Sequence, residues 1–200
     1  MRTNLYRGIG IAAVMVVACA FSAPAFAQEA TYIGESQCKV CHNKKDEGEQ
    51  WNKWKGEKHP TSLEALKSPK ALEVAKAKGL TTPPSESPEC LKCHVTAFDA
   101  GKTPEKILPA SGVQCEACHG PGSLHQAEGK KKLFQKDATA KTAETMLKPD
   151  AKTCEKCHNK DNPTFNPERY TLKDGSKADF DFEQAYAKIA HPNPKKAAAK

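Results

Sequence analysis

The sequence predicts a mainly α-helical fold of short helices and long loops, packed around something other than side chains. Three observations support this. Only 38% of the 200 residues are hydrophobic and 6% aromatic, with a mean hydropathy of −0.68; ordinary globular domains carry roughly 45–50% apolar residues. No stretch alternates convincingly between apolar and polar, as a half-buried strand does. Nine cysteines and seven histidines point to a bound group, and a large apolar cofactor would fill the missing core. The length suits one domain or two. The composition excludes a membrane bundle and a Val/Ile-rich sheet protein.

The chain opens as an export signal. Arg2 and Arg7 flank the start of an apolar run over 8–21 that is too short to span a bilayer. Pro24 breaks the run, and Ala25-Phe26-Ala27 supplies a small-residue cleavage site. Residues 1–27 are therefore expected to be removed, giving a periplasmic protein of residues 28–200. It keeps eight of the nine cysteines and all seven histidines. Losing two of 31 basic residues and none of 24 acidic ones leaves 29 against 24, a net charge of +5. Val16-Val17-Ala18-Cys19 offers a second reading, a lipid anchor on Cys19, which the Ala25-Phe26-Ala27 site disfavours. No later segment is long and apolar enough to span a membrane.

The eight remaining cysteines form four copies of one unit. They are Cys38-Lys39-Val40-Cys41-His42, Cys90-Leu91-Lys92-Cys93-His94, Cys115-Glu116-Ala117-Cys118-His119 and Cys154-Glu155-Lys156-Cys157-His158. Each is C-x-x-C-H, the attachment pattern of c-type haem. Two thiols add to the two vinyl groups of haem as thioethers, and the adjacent histidine turns onto the iron. Zinc sites do not require a histidine after every second cysteine, and four C-x-x-C disulfides make an odd framework for an exported domain. Four covalent haems are expected, with their iron, inside a radius of gyration of about 16 Å. Groups that close exchange electrons readily.

Four irons with two imidazoles each need eight histidines, and seven are present. His42, His94, His119 and His158 are proximal. His59, His125 and His191 are the candidate distal ligands. One iron lacks a second imidazole. Met146, the one methionine after residue 27, is an alternative ligand, as are lysine, a terminal amine, water or an open position. Ordinary packing suits Met146 better.

Between the motifs, Ser36 is placed to cap the first haem-bearing turn. Residues 47–58 read as a helix leading to His59-Pro60, interrupted at Gly48 and Gly56, with Trp51 and Trp54 on one face. Residues 68–79 form a helix capped by Ser68, with Pro69 in its first turn and Gly79 at its end. Residues 81–88 are a Pro/Ser-rich loop, and Gly120-Pro121-Gly122 turns the chain. Asp179 is expected to cap a helix running to Ala190. Its stripe of Phe182, Ala185, Tyr186 and Ile189 faces core or haem, and His191-Pro192 ends it. Residues 28–192 make up the haem domain, and 193–200 a basic, disordered tail. Lysines interleave with acids except at Lys130-Lys131-Lys132, a solvated face first and a docking patch for an acidic partner second. Nucleic acid is not an expected partner of an exported haem protein.

At this point the chain resembles the tetrahaem cytochrome c-554 family. The most specific segment is Gly112-Val113-Gln114-Cys115-Glu116-Ala117-Cys118-His119-Gly120-Pro121-Gly122. Trp54 before His59, Val95 and Phe98 after His94, and Pro163-Thr164-Phe165-Asn166-Pro167-Glu168 also fit. The resemblance implies a mostly helical electron carrier with three bis-histidine haems and one five-coordinate haem. Carried over, it pairs His125 with the His42 haem, His59 with the His119 haem and His191 with the His158 haem. It leaves the His94 haem open beneath a loop at 163–165. The spacing from Cys118 to His125, the region before His59 and the C-terminal tail depart from the family.

Three functions are then weighed. The first is a periplasmic electron carrier between redox partner proteins. The second is an enzyme reducing nitric oxide or another small nitrogen oxide at the open haem. The third is a subunit of an extracellular haem filament, or a lipid-anchored relay. No catalytic residue outside the haem sites is assigned.

Overall fold

The computed structural model describes residues 28–99, 104–142, 145–191 and 194. The expected signal with Cys19, and the expected tail apart from Pro194, lie outside these. The architecture is mainly helical, with short helices and little strand.

The first helix, α1, spans Glu35–His42 and starts from Gly34 at φ 81°. Ser36 does not cap it; it lies inside the first turn, and the free N–H groups at this end are met by side chains from a later helix. The helix expected over 47–58 is interrupted where expected, at Gly48 and Gly56. Gly48 and Glu49 take φ values of 102° and 52°, so α2 covers only Gln50–Lys55. His59 sits in a separate 3-10 turn, His59–Thr61, that runs into α3, Ser62–Ala65. The next helix, α4, Pro69–Ala77, forms as its sequence signals require: the Ser68 hydroxyl accepts the Ala71 N–H at 3.2 Å, and Gly79 leaves the helix at φ 70°.

Helices α5, Pro88–His94, and α6, Cys115–His119, each end on a motif histidine. Gly120-Pro121-Gly122 turns the chain into α7, Ser123–Phe134. Sequence pattern did not single out α7, because its lysines leave no apolar stripe. The next, α8, Ala151–Glu155, is held by a capping box in which Asp150 accepts the Thr153 N–H at 2.8 Å. An antiparallel hairpin of β1, Tyr170–Thr171, and β2, Lys177–Ala178, follows, with Tyr170 opposite Ala178. No strand was expected there, and two-residue strands are too short to show alternation. The last helix, α9, Phe182–Ile189, is capped by Asp181, which accepts the Gln184 N–H at 2.8 Å. Asp179, the expected cap, instead accepts the Phe180 N–H.

Among the described residues the buried apolar side chains are few: Ile33, Trp54, Leu66, Ala75, Val95, Ile107 and Tyr170. The most deeply buried residues are polar, namely Ser87, Thr96, Gln114 and Glu116. Such groups are tolerable only when hydrogen-bonded, and they knit the motif-bearing helices together. Helix α1 packs on α2 and α6, and α3 packs on α5. Trp54 joins this core, its indole N–H donating to the Val113 carbonyl at 2.9 Å, while Trp51 leans on it at 6.1 Å. The α9 stripe does not form core: Phe182 and Tyr186 stack at 5.4 Å, yet nothing in α9 is fully buried.

Candidate haem centres

Each C-x-x-C-H unit is one helical turn. Residues three and four apart share a helix face, so both thiols and the histidine ring emerge on one side of α1, α5 and α6, and of α8 as its last turn opens. The eight cysteines are half-buried and none is in a disulfide.

Four of the histidine rings are aimed by backbone carbonyls. The Nδ1–H of His94 donates to the Ser62 carbonyl at 2.7 Å, and that of His119 to the Leu147 carbonyl at 3.0 Å. His125 donates likewise to Thr142 at 2.8 Å and His191 to Ile189 at 2.9 Å. His42 approaches the Gln50 side-chain oxygen at 3.3 Å. These bonds fix the tautomer and leave Nε2 bare as a ligand, as a metal-binding histidine requires. Burial pushes His59, His119, His125 and His158 below the usual histidine range, which keeps those rings neutral and able to ligate.

Six of the seven histidines face one another in pairs. Ring centres are 5.9 Å apart for His42 and His125, 6.2 Å for His59 and His158, and 6.0 Å for His119 and His191. An imidazole nitrogen binds a first-row metal ion at roughly 2.0–2.1 Å, so two rings on opposite sides of one ion have centres about 6 Å apart. Two facing imidazoles at this separation, beside a C-x-x-C pair of thiols, would hold a haem iron between them; these residues fit haem. The His42–His125 pairing is the expected one. The other two pairings are exchanged relative to the expectation: His59 faces His158, not His119, and His191 faces His119, not His158. His94 has no ring facing it among the described residues.

The His59 carbonyl accepts the Val113 N–H at 3.0 Å, which ties the His59 turn to the segment entering α6. Gly112 makes this possible: at φ 57°, a Cβ there would come within 2.5 Å of both the His59 carbonyl and the Ser62 hydroxyl. On the far side of α6, Leu147 bonds His119 in both directions, its N–H donating to the His119 carbonyl at 2.9 Å. Met146 is therefore next in sequence to the residue that holds His119, whose ring faces His191. The turn at Pro163–Phe165, expected over the His94 haem, lines a shallow cleft with His158, Arg169 and Phe180.

The motifs neighbour one another in the order first, third, fourth, second. The Cys38 thiol donates to the Gly34 carbonyl at 3.6 Å; the neighbouring Cys115 thiol, with burial, drives Cys38 far above its usual range, while Cys38 lowers Cys115. Burial pushes Cys118 up to about 11, with Cys154 adding to it. Burial and then Cys93 push Cys157 up to about 12.

Three residues hold this arrangement that sequence reasoning did not assign. Glu116, inside the third motif and 1% exposed, accepts the N–H of Gly34 at 2.8 Å, of Ile33 at 3.0 Å and of Gly122 at 2.7 Å. Gln114 accepts the Glu35 N–H at 3.0 Å. Together they supply the N-terminal cap that α1 lacks in its own sequence, and a carboxylate there suits the helix dipole. Ser62 donates to the His94 carbonyl at 2.8 Å and accepts the Val113 N–H at 3.1 Å. The acidic residue between the motif cysteines was the available signal for Glu116; nothing local marks Ser62.

The family model described as cytochrome c554 and c-prime matches residues 37–120, which hold the first three motifs. Cytochrome c-554 of Nitrosomonas europaea is 30% identical over 166 residues, 75% of this chain and 68% of that protein. No solved structure matches. C-x-x-C-H turns with facing imidazoles, and a relative 30% identical over most of both chains, lead to one assignment: this chain belongs to the cytochrome c-554 family, electron-transfer proteins with covalently bound c-type haem iron.

Proposed function

We propose that the protein is a periplasmic tetrahaem electron carrier with three bis-histidine irons and one five-coordinate iron. The observation that carries the reading is the set of three histidine pairs, each close to 6 Å, beside one unpaired motif histidine. The eight cysteines Cys38, Cys41, Cys90, Cys93, Cys115, Cys118, Cys154 and Cys157 hold the haems. His42 with His125, His119 with His191, and His158 with His59 hold three irons, and His94 holds the fourth. Bound haem supplies a one-electron iron couple, and two imidazoles favour a low-spin, low-potential form.

The chain's own residues set the rest. Backbone carbonyls orient the rings and raise their basicity. Glu116 and Ser62 bind the motif helices to one another, so neighbouring sites keep fixed separations. The motif order first–third–fourth–second makes the His42 and His94 sites the two ends of the series. Redox proteins are the expected partners. The pattern over 1–27 supports export, and no helix among the described residues is long and apolar enough to cross a membrane.

Denaturing mass spectrometry of the exported protein tests the count. A mass equal to residues 28–200 plus four haems supports the proposal, and three or fewer overturns it. A second reading is favoured by His94 alone: a small diatomic such as nitric oxide binds at that iron. One equivalent of CO per chain, with a matching Soret shift, supports it; no CO binding removes it.

A further inference from the structure

The segment Lys130-Lys131-Lys132-Leu133-Phe134-Gln135-Lys136 takes no part in holding the histidine pairs, and every residue in it is exposed. Phe134 shows 78% of its surface and Leu133 51%. The segment is the C-terminal end of α7, none of whose residues is fully buried. Successive helical residues are about 100° apart, so the three lysines belt the axis while Leu133 and Phe134 project at the tip. The end is well fixed: Gln135 and Asp137 both donate to the Lys131 carbonyl, at 3.0 and 3.2 Å. Lys136 takes φ 54°, a left-handed position that Gly or Asn usually holds. A fourth lysine is thus kept beside the apolar tip despite its backbone cost. The negative end of the helix dipole favours all four charges.

We propose that this tip docks the protein on an anionic phospholipid surface, with Phe134 and Leu133 entering the headgroup layer and Lys130, Lys132 and Lys136 contacting phosphates, Lys131 being paired with Glu128. The chemistry of the patch selects this occupant. Shaped protein interfaces favour Tyr, Trp and Arg anchors and are poor in Lys; this patch has lysine only. Its apolar part is a convex helix end, not a groove that would seat a partner's side chain. Lysine stems snorkel over an apolar layer while their ammonium groups stay at its surface. A basic cluster joined to an apolar contact gives the two signals that reversible membrane binding needs. His125 lies on the same helix, about 13 Å along its axis from Phe134 at 1.5 Å rise per residue. Docking therefore turns the His42–His125 pair toward the membrane. This adds a partner to the proposed function and does not depend on it.

Co-sedimentation of the haem-loaded protein with vesicles, read by Soret absorbance of the pellet, tests the inference. Vesicles of phosphatidylglycerol and phosphatidylcholine should bind the protein at low salt, and vesicles of phosphatidylcholine alone should not. Binding should fall steeply with salt, as screening requires. Lys130→Glu/Lys132→Glu should lower the partition coefficient at least tenfold, and Phe134→Ser roughly threefold. The milder Lys130→Gln/Lys132→Gln should fall between, which guards against a folding defect. Lys76→Glu, on the exposed face of α4, should leave it unchanged. Equal binding to both vesicle types, no binding to either, or an equal loss from Lys76→Glu overturns the proposal. So does binding to poly-glutamate alone that Lys130→Glu/Lys132→Glu abolishes, which assigns the patch to an acidic protein.

Discussion

His94 and His119 begin alike and end differently. Each closes a short helix, and each donates Nδ1–H to a backbone carbonyl, at 2.7 and 3.0 Å. Across from His119 stands His191, at 6.0 Å between ring centres; no ring stands across from His94 among the described residues. The C-x-x-C-H turn therefore fixes only the proximal half of a site. What distinguishes the sites is a distant segment delivered to the other face, and those segments are short: the turn at His59, the start of α7 and the end of α9.

The comparison breaks most completely if a distal histidine is removed. His191→Ala should make the His119 site resemble the His94 site, raising CO binding from one equivalent to two and doubling the high-spin signal. Glu116→Ala should be the next largest effect. It strands three buried N–H groups and should cost about 3 kcal/mol, seen as a lower unfolding midpoint. Ser62→Ala sharpens the contrast. It loosens the His94 helix at about 1–2 kcal/mol and should alter only the high-spin signal, leaving the low-spin ones unmoved. Ser68→Ala removes the α4 cap, remote from every histidine, and should cost about 1 kcal/mol with no spectroscopic change.

The sequence made the attachment chemistry plain, because C-x-x-C-H is local and four copies leave no cysteine over. The histidine count left one site without a second imidazole, and the structure leaves His94 unfaced. Distal pairing was not legible. It depends on how Gly112 lets the His59 turn approach α6, and on Leu147 holding His119, contacts between residues far apart in the chain. The resemblance gave His59 to His119 and His191 to His158, the reverse of what the structure shows. Helix ends with local caps, such as Ser68 before α4, were readable. The α1 end was not, since its caps are Gln114 and Glu116, side chains at the entry to α6 and within it. The helix read over 47–58 breaks at the two glycines that interrupt its pattern, Gly48 and Gly56; the left-handed backbone of Glu49 beside Gly48 has no sequence signature.

EPR of the fully oxidised protein tests the site assignment directly. The histidine arrangement predicts one high-spin iron to three low-spin irons. It also predicts two kinds of low-spin signal. Nearly parallel rings at His42 and His125, 20° between planes, should give a rhombic signal, and the pairs at 75° and 70° should give strongly anisotropic ones. Four low-spin irons, or two or more high-spin irons, would contradict the account.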